Sequence, residues 1–369
     1  MILSSNDNPV LLGIGTATPP SLKQEQTLEF AASVACATPR QQAWIERVFH
    51  HCGIQTRGSV LVDEDHALKT LQEFYPPPLN STDKGPSTAN RMIRYAQHAP
   101  ALGIKAASRA LAQSDISPQA ITHLITVSCT GFVAPGLDVS LINSLDLKPD
   151  VTRLHVGFMG CHAAFNALSA AHDAVMADRN AKVLVCCVEL CSLHLAYGWK
   201  PEQIVANALF ADGASAVVIG HPPHQKNGMG QLIDLTSLLL PDSQDAMAWR
   251  IGDHGFEMTL SQSIPDIIRR NLRSWCEPWL AQHSIGLENV AGWAVHPGGP
   301  KILSAVADAL KLKPSALSYS HDVLSRHGNM SSATVLFVLE QMIAQGLRGP
   351  FVAIGLGPGL MAEGMLLKC

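Results

Sequence analysis

A thiol, an imidazole and a carboxamide stand out in this chain, because each sits where a regular element gives way to another. Cys161 ends the run Val156-Gly-Phe-Met-Gly-Cys161 and opens onto a helical stretch built from Ala163, Ala164, Ala167, Ala170 and Ala171. Small residues let such a helix lie deep, and Gly160 allows a tight turn into its first turn. A cysteine there meets unpaired N–H groups and the positive end of the helix dipole, which favour thiolate over thiol. That arrangement serves nucleophilic attack; a buried small hydrophobe, the usual fate of a free cysteine, would read the same way. His296 follows the apolar strand Val290–Val295 and precedes Pro297-Gly-Gly-Pro300. The carboxyl end of a strand is where α/β proteins build active sites, although a histidine packed against a loop also fits. Asn329 lies between Gly328 and a helical stretch, where an N-cap is the plainest account. Together the three supply a thiolate, a neutral proton donor and an amide donor. Those parts can form a thioester and steady negative charge on the oxygen of a second one.

The elements that must hold these groups read as alternating strands and helices, which implies α/β layers. Pro9–Pro20 reads as a first strand running into a Pro-terminated turn, followed by a helical stretch to about His51. Tyr75–Pro86 reads as a surface excursion, and Asn90–Gln113 as a helix. Strands follow at His123–Cys129, before Cys161, and at Lys182–Val188 and Ala214–Ile219. The Pro/Gly-rich segment His221–Gly230 breaks the composition and divides the chain into halves 1–225 and 226–369. In the second half, helices read at Asp266–His283, Pro300–Leu310 and from Gly328, with strands at Val290–Val295 and Phe351–Ile354. Gly160-Cys161 and Gly328-Asn329 each open a small-residue apolar helix, a faint echo of duplication.

With 369 residues, 47% of them hydrophobic, the chain can bury a large core. A net charge of −4 gives no electrostatic case for nucleic acid or an anionic membrane. No apolar run reaches the roughly 18 residues a spanning helix needs, and the start lacks signal-peptide character. A soluble, cytoplasmic protein is expected, with its nine cysteines as free thiols. Cys–His–Asn order also occurs in papain-like proteases, but their local cysteine signature is absent. His50-His51-Cys52 and Cys186-Cys187…Cys191 lack a second matching pair at zinc-site spacing, so no metal is expected.

Gly160-Cys161, Trp293-Ala-Val-His296-Pro-Gly-Gly-Pro300, Gly328-Asn329-Met-Ser-Ser-Ala333 and Gly355-Leu-Gly-Pro-Gly359 together resemble the chalcone synthase, or type III polyketide synthase, family, in its bacterial branch. The resemblance runs from Gly13 to Glu363. It implies a thiolase-like five-layered αβαβα fold, each half supplying one sheet, in a homodimer. It further implies that Cys161 carries the growing acyl chain, while His296 and Asn329 bind the malonyl thioester, promote loss of CO2 and steady the enolate. Substrates would be acyl-CoA and malonyl-CoA, with no tightly bound cofactor and no carrier protein.

The resemblance also points to pocket residues. Phe210 matches the first of two gatekeeping aromatics, and Met258 falls at the second, with Phe256 two residues away. A methionine there implies less selective entry. Cys129, followed by Thr130, falls where plant enzymes carry a cavity hydroxyl, and resembles the tetrahydroxynaphthalene-forming branch. Ala134 takes the place of a residue that reaches into the partner's cavity. Gly355, Gly357 and Pro358 complete the implied pocket. Of the basic contacts to CoA only Arg47 matches, with Trp44 and His51 at the other two, and Lys301 offers a replacement charge. Two other readings stay open from sequence: a single-round ketoacyl synthase, and a non-catalytic thiolase-like scaffold.

Overall fold

A computed structural model describes residues 8–35, 38–65, 68–221 and 228–369 of the chain. The division between residues 225 and 226 lies outside the described residues. Thirteen strands occur among the described residues: β1 (Val10–Ala17), β2 (Ser21–Lys23), β3 (Thr56–Gly58), β4 (His123–Ser128), β5 (Thr152–Gly157), β6 (Lys182–Leu190), β7 (Asp212–Gly220), β8 (Gly230–Leu239), β9 (Met247–Gly252), β10 (Gly255–Leu260), β11 (Gly292–Val295), β12 (Pro350–Gly357) and β13 (Met361–Lys368). Nine of them form one mixed sheet in the order β11-β12-β13-β8-β1-β7-β6-β4-β5, and β2–β3 and β9–β10 form two small antiparallel pairs. The first helical stretch divides into Gln24–Val34 and Pro39–His51. Thr38 starts the second: its side chain accepts from the Gln41 N–H, Gln41 reaches back to the Thr38 N–H, and Pro39 fills the first position.

Strand alternation sorts the core into layers. Along β6, Val183, Val185 and Cys187 face one core, while Leu184, Cys186 and Val188 face another. Cys186 and Cys187 therefore point to opposite faces and share no site. Along β12, Phe351 and Ala353 join the first core, and Val352, Ile354 and Leu356 join a third. The first core is the middle of the molecule: it receives the helix Ala163–Ala177 and the helix Thr334–Ala344. The long helix Thr88–Ser114 covers the outer face of the N-terminal strands, and Ile264–Gln282 with Pro300–Leu310 covers that of the C-terminal strands. Helix, sheet, helices, sheet, helix is the expected five-layer order.

The strands of each half stay contiguous, as expected, but they are not two separate sheets. β1 and β8 pair through Val10↔Gln231 and Leu11↔Gly230, which joins the halves into one hydrogen-bonded sheet. The helix expected from Gly328 begins only at Thr334, after a 3₁₀ turn over Ser331–Ala333. That delay leaves Asn329 outside the helix, free to pair with Phe210 in an isolated bridge. No helix of the described residues is long and apolar enough to cross a membrane.

Candidate active site

The turn that carries Cys161 is clamped from the C-terminal half. Gly160 has φ +83°, and a Cβ there would lie 2.3 Å from the Pro358 ring. Only glycine satisfies both conditions. Gly357 is pressed against the His162 ring, where a Cβ would lie 2.2 Å away, and Gly355 sits against Phe165. Gly355, Gly357 and Pro358, expected to line a pocket, thus lock the turn that carries Cys161. His162 caps the helix Ala163–Ala177, so Cys161 precedes the helix instead of lying in its first turn. Behind it the His162 Nδ1 meets Asn166 Oδ1 at 3.0 Å, and Asn166 Nδ2 donates to Glu363 at 3.1 Å.

Asn329 reaches the same place from another direction. Its N–H donates to the Leu209 carbonyl and its carbonyl accepts from the Ala211 N–H, both at 2.9 Å, so it forms a bridge with Phe210. Its Oδ1 accepts the Ser331 N–H at 2.9 Å. This local bond is the capping role foreseen from sequence, made to the 3₁₀ turn and not to a long helix. It orients the amide so that Nδ2 is left to donate, and the side chain lies close enough to the Cys161 sulfur to favour its charged form. Ser331 acts on that sulfur in the same sense, and its hydroxyl lies 3.1 Å from the Cys129 sulfur.

His296 lies just past the end of β11. Its N–H donates to the Ile354 carbonyl at 2.8 Å, and its carbonyl accepts from Gly298 at 2.9 Å, so the backbone is fixed on both sides. The side chain is 2% exposed, yet neither Nδ1 nor Nε2 has a hydrogen-bond partner. Two unpartnered nitrogens on a buried ring are costly unless something else binds there. His162, next to Cys161, is close enough for its charge to act on His296. β12 links the two: it pairs with the strand before His296 and ends in the clamp on Gly160–His162.

Burial governs the charges. It pushes the Cys161 thiol up to about 12; Ser331 and Asn329 pull it down in part, and the nearby Glu189 carboxylate pushes it up. The helix end expected to favour a thiolate is outweighed, so the resting group is a thiol. Burial also holds His296 down to about 3, with His162 adding to the effect. The imidazole is neutral, as expected from sequence, and can present an N–H.

Beneath Cys129 lies a carboxylate that sequence reasoning missed. Glu189 is fully buried and accepts from the Cys129 N–H at 3.0 Å and the Thr130 hydroxyl at 2.7 Å, and also from Ser332. Thr130 is therefore engaged inside the protein: its oxygen also accepts the Leu190 N–H. Burial raises the Glu189 carboxyl above its usual range, against those hydrogen bonds.

Phe210 and Met258 line a cleft that also contains Arg57, Cys191, His194, Trp249 and Phe256, while Cys161, His296 and Asn329 do not line it. Phe256 and Met258 alternate along β10 and face the cleft together, so both belong to its wall. Trp249, paired with Met258 across the β9–β10 hairpin, stacks on Phe210 at 6.4 Å and 28°. It donates from Nε1 to the Cys129 carbonyl at 2.8 Å, tying the cleft to the cysteine strand. The symmetry of the hairpin turn Gly252–Gly255 was the signal that could have found it. Ala134 is exposed, at a cis peptide with Pro135, beside the exposed Phe132 and Val133. Arg47 and Lys301 are both exposed. Gly53, just past the helix bearing Arg47, abuts Pro300, which brings that helix end beside Lys301.

Comparison with known proteins fits this geometry. The family model for chalcone and stilbene synthases, N-terminal domain, matches residues 2–223, and that for the C-terminal domain matches residues 231–369. The alpha-pyrone synthesis polyketide synthase-like Pks18 of Mycobacterium tuberculosis is 32% identical over 365 residues, covering 97% of this chain and 90% of its own. The 1,3,6,8-tetrahydroxynaphthalene synthase of Streptomyces peucetius subsp. caesius is 33% identical over 361 residues, covering 96% and 92%. The crystal structure of PKS-I from the brown alga Ectocarpus siliculosus superposes with a TM-score of 0.91 at 28% identity, covering 99% of both chains. The C-terminal type III domain of Steely1 from Dictyostelium gives a TM-score of 0.87 at 27% identity, covering 98% and 99%. The chain belongs to the chalcone and stilbene synthase family: it is a type III polyketide synthase, a CoA-dependent acyltransferase that forms carbon–carbon bonds.

Proposed function

We propose that Cys161 takes an acyl group from an acyl-CoA starter and that His296 and Asn329 drive its extension with malonyl-CoA. In loading, the Cys161 sulfur attacks the thioester carbonyl, the bond to CoA sulfur breaks, and the thiol proton leaves with the departing CoA thiol. In extension, the malonyl thioester oxygen accepts from the Asn329 amide and the neutral His296 imidazole. Loss of CO2 leaves an enolate whose oxygen those donors stabilise. Its carbon attacks the carbonyl of the Cys161 thioester, the bond to the Cys161 sulfur breaks and that sulfur takes up a proton, and the lengthened chain, now on CoA, reloads onto Cys161 for another round. Repeated rounds end in closure to a pyrone, resorcinol or polyhydroxynaphthalene type of ring. The observation that carries this reading is His296: a buried imidazole with both nitrogens unpartnered, within electrostatic reach of His162, the residue next to Cys161.

Arg47 and Lys301 would meet CoA phosphates, Phe210 and Met258 would guard entry, and Cys129 would line the chamber. No tightly bound cofactor or metal and no carrier protein is required. A division into halves 1–225 and 226–369 is supported by family models that stop at 223 and resume at 231. A homodimer is supported by the edge strand β5, whose Leu154 is 47% exposed, beside an apolar surface of Phe132, Val133 and Met159. Free thiols at all eight described cysteines agree with a cytoplasmic setting.

The test is to incubate the protein with labelled malonyl-CoA and acyl-CoA esters, without carrier protein, and weigh the products. Products with two or more malonyl-derived units are expected. A single extension, or strict need for a carrier protein, would overturn the iterative CoA-dependent reading.

A further inference from the structure

Arg57 is a buried cation whose bonds run to carbonyls. It is 6% exposed, and burial lowers its guanidinium only to about 10, so the charge persists at neutral pH. Its Nη1 donates to the Asn207 carbonyl at 2.6 Å and to the Phe210 carbonyl at 2.7 Å. Asp212, a carboxylate whose charge reaches it, is engaged by the Ser192 N–H and hydroxyl and by the Val60 N–H. A guanidinium taken this far out of water is costly unless the groups it holds repay the loss.

The helix Pro201–Leu209 ends at Phe210, and a cation beside a helix end satisfies its last carbonyls and complements its dipole. That alone would make Arg57 a cap. The peptide it holds is also half of the bridge to Asn329. The Leu209 carbonyl and the Ala211 N–H take the backbone of Asn329, while the Phe210 carbonyl between them turns to Arg57. The segment carrying Arg57 grips the other half as well. The Gln55 N–H donates to the Ser325 carbonyl and the Thr56 hydroxyl to the Arg326 carbonyl, both at 2.7 Å. Those carbonyls belong to the helix Ser318–His327, which leads into Gly328. Gly328, at φ +72°, fits in the space left: a Cβ there would lie 2.9 Å from the Ala211 Cβ and 3.3 Å from the Arg57 Cβ. Residues 55–57 thus clasp both sides of the bridge that sets Asn329.

Resting on the reading of Asn329 as a donor to the malonyl thioester, we propose that Arg57 is a positioning residue for the loss of CO2. By fixing the Phe210 peptide it fixes the Asn329 backbone, and with it the amide that meets the enolate oxygen. Such a donor must be in place before charge develops, and a displacement of about 1 Å can lower a rate about a hundredfold. The contribution of Arg57 passes through Asn329 and registers in kcat, with little change in KM.

The experiment is a double-substitution cycle on malonyl-CoA decarboxylation by the full chain, using Arg57→Met, Asn329→Ala and the two together, with folding checked by circular dichroism. Arg57→Met should lower kcat about 10–100-fold and leave KM within about threefold of wild type. In the Asn329→Ala background the same change should lower kcat less than about twofold, because the amide it positions is gone. Arg57→Lys keeps the charge without the planar fork and should lose about 3–10-fold; it carries the same cycle should Arg57→Met not fold. Equal fold-losses in the two backgrounds would reduce Arg57 to a structural support and overturn the proposal. An unchanged kcat in the folded variant would overturn it as well. Unchanged decarboxylation by Asn329→Ala alone would instead sink the reading of Asn329 on which the proposal rests.

Discussion

His194 and His296 are alike in burial and in charge, and differ in what their nitrogens touch. Burial pushes both imidazoles down to about 3. His194 is stacked on Phe256 with ring centroids 4.1 Å apart; its Nδ1 accepts the Phe256 N–H, so its Nε2–H must donate to the Thr130 carbonyl. Its tautomer is settled by the protein and its work is structural. His296 has no partner at either nitrogen and no tautomer imposed on it. Hydrogen-bond satisfaction, not burial or a shifted pKa, separates the histidine that packs from the one available to a substrate.

Replacing each histidine by alanine gives the largest effects and would break the contrast most plainly. His296→Ala should lower malonyl-CoA decarboxylation by about 10²–10³-fold, the usual cost of losing a donor at a developing oxyanion. Its folded state should lose little beyond a cavity. His194→Ala should leave the Phe256 N–H and the Thr130 carbonyl buried and unpaired, costing about 2–4 kcal/mol more stability than His296→Ala. Decarboxylation per folded molecule in that variant should stay within a few-fold of wild type. Thermal unfolding and CO2 release, measured on both proteins, check the pair. Equal losses of activity would end the distinction.

The acid side of the stability curve sharpens the same comparison, because there the two residues should behave alike. Each folded-state pKa lies below the ordinary value near 6.5, so the unfolded chain binds the proton first. Their stabilising contribution is present above about pH 6.5 and is lost as pH falls toward 3. Each should contribute a slope of up to about 1.4 kcal/mol per pH unit across that window. Asp212 has the opposite sign: burial raises it to about 6 despite bonds from Ser192 and Val60, so between about pH 4 and 6 it favours the folded state as pH falls. Denaturant titrations from pH 4 to 7 should show a flatter profile for either histidine variant. A flattening in only one of them would mean the two rings are not equally buried in solution.

How much of this was legible beforehand differs between the same two regions. Cys161, His296 and Asn329 could be read because each is framed by residues the backbone demands: Gly160 for a positive φ, a Pro/Gly turn after His296, and Gly328 before Asn329. Alternation of strands and helices made α/β layers readable, and the five-layer order came from the resemblance of the four motifs to the family. The cleft was not, because its wall is assembled from short pieces such as Leu22, Leu71 and Leu195 that carry no periodic signal and meet only in three dimensions. Nor was Glu189, one carboxylate inside an apolar strand, whose partners Thr130 and Ser332 come from distant parts of the chain. The thiolate expected at Cys161 failed for a related reason. A helix end can be seen in a sequence, but the depth at which it is buried cannot.

The smallest effect belongs at the surface. Arg47→Glu with Lys301→Glu should raise KM for malonyl-CoA by about 2–5-fold at each position, as exposed charges do, with kcat unchanged and the effect shrinking in high salt. A fall in kcat would place these side chains nearer the chemistry than their exposure allows.

The division of labour between sulfur and imidazole is tested most directly by Cys161→Ala given malonyl-CoA labelled in its free carboxyl group. Released label should remain measurable while intact mass shows no acyl-enzyme and no extended product forms. Chain extension by that variant would show that the acyl group is carried elsewhere, and loss of label release together with loading would show that His296 and Asn329 do not act without the sulfur.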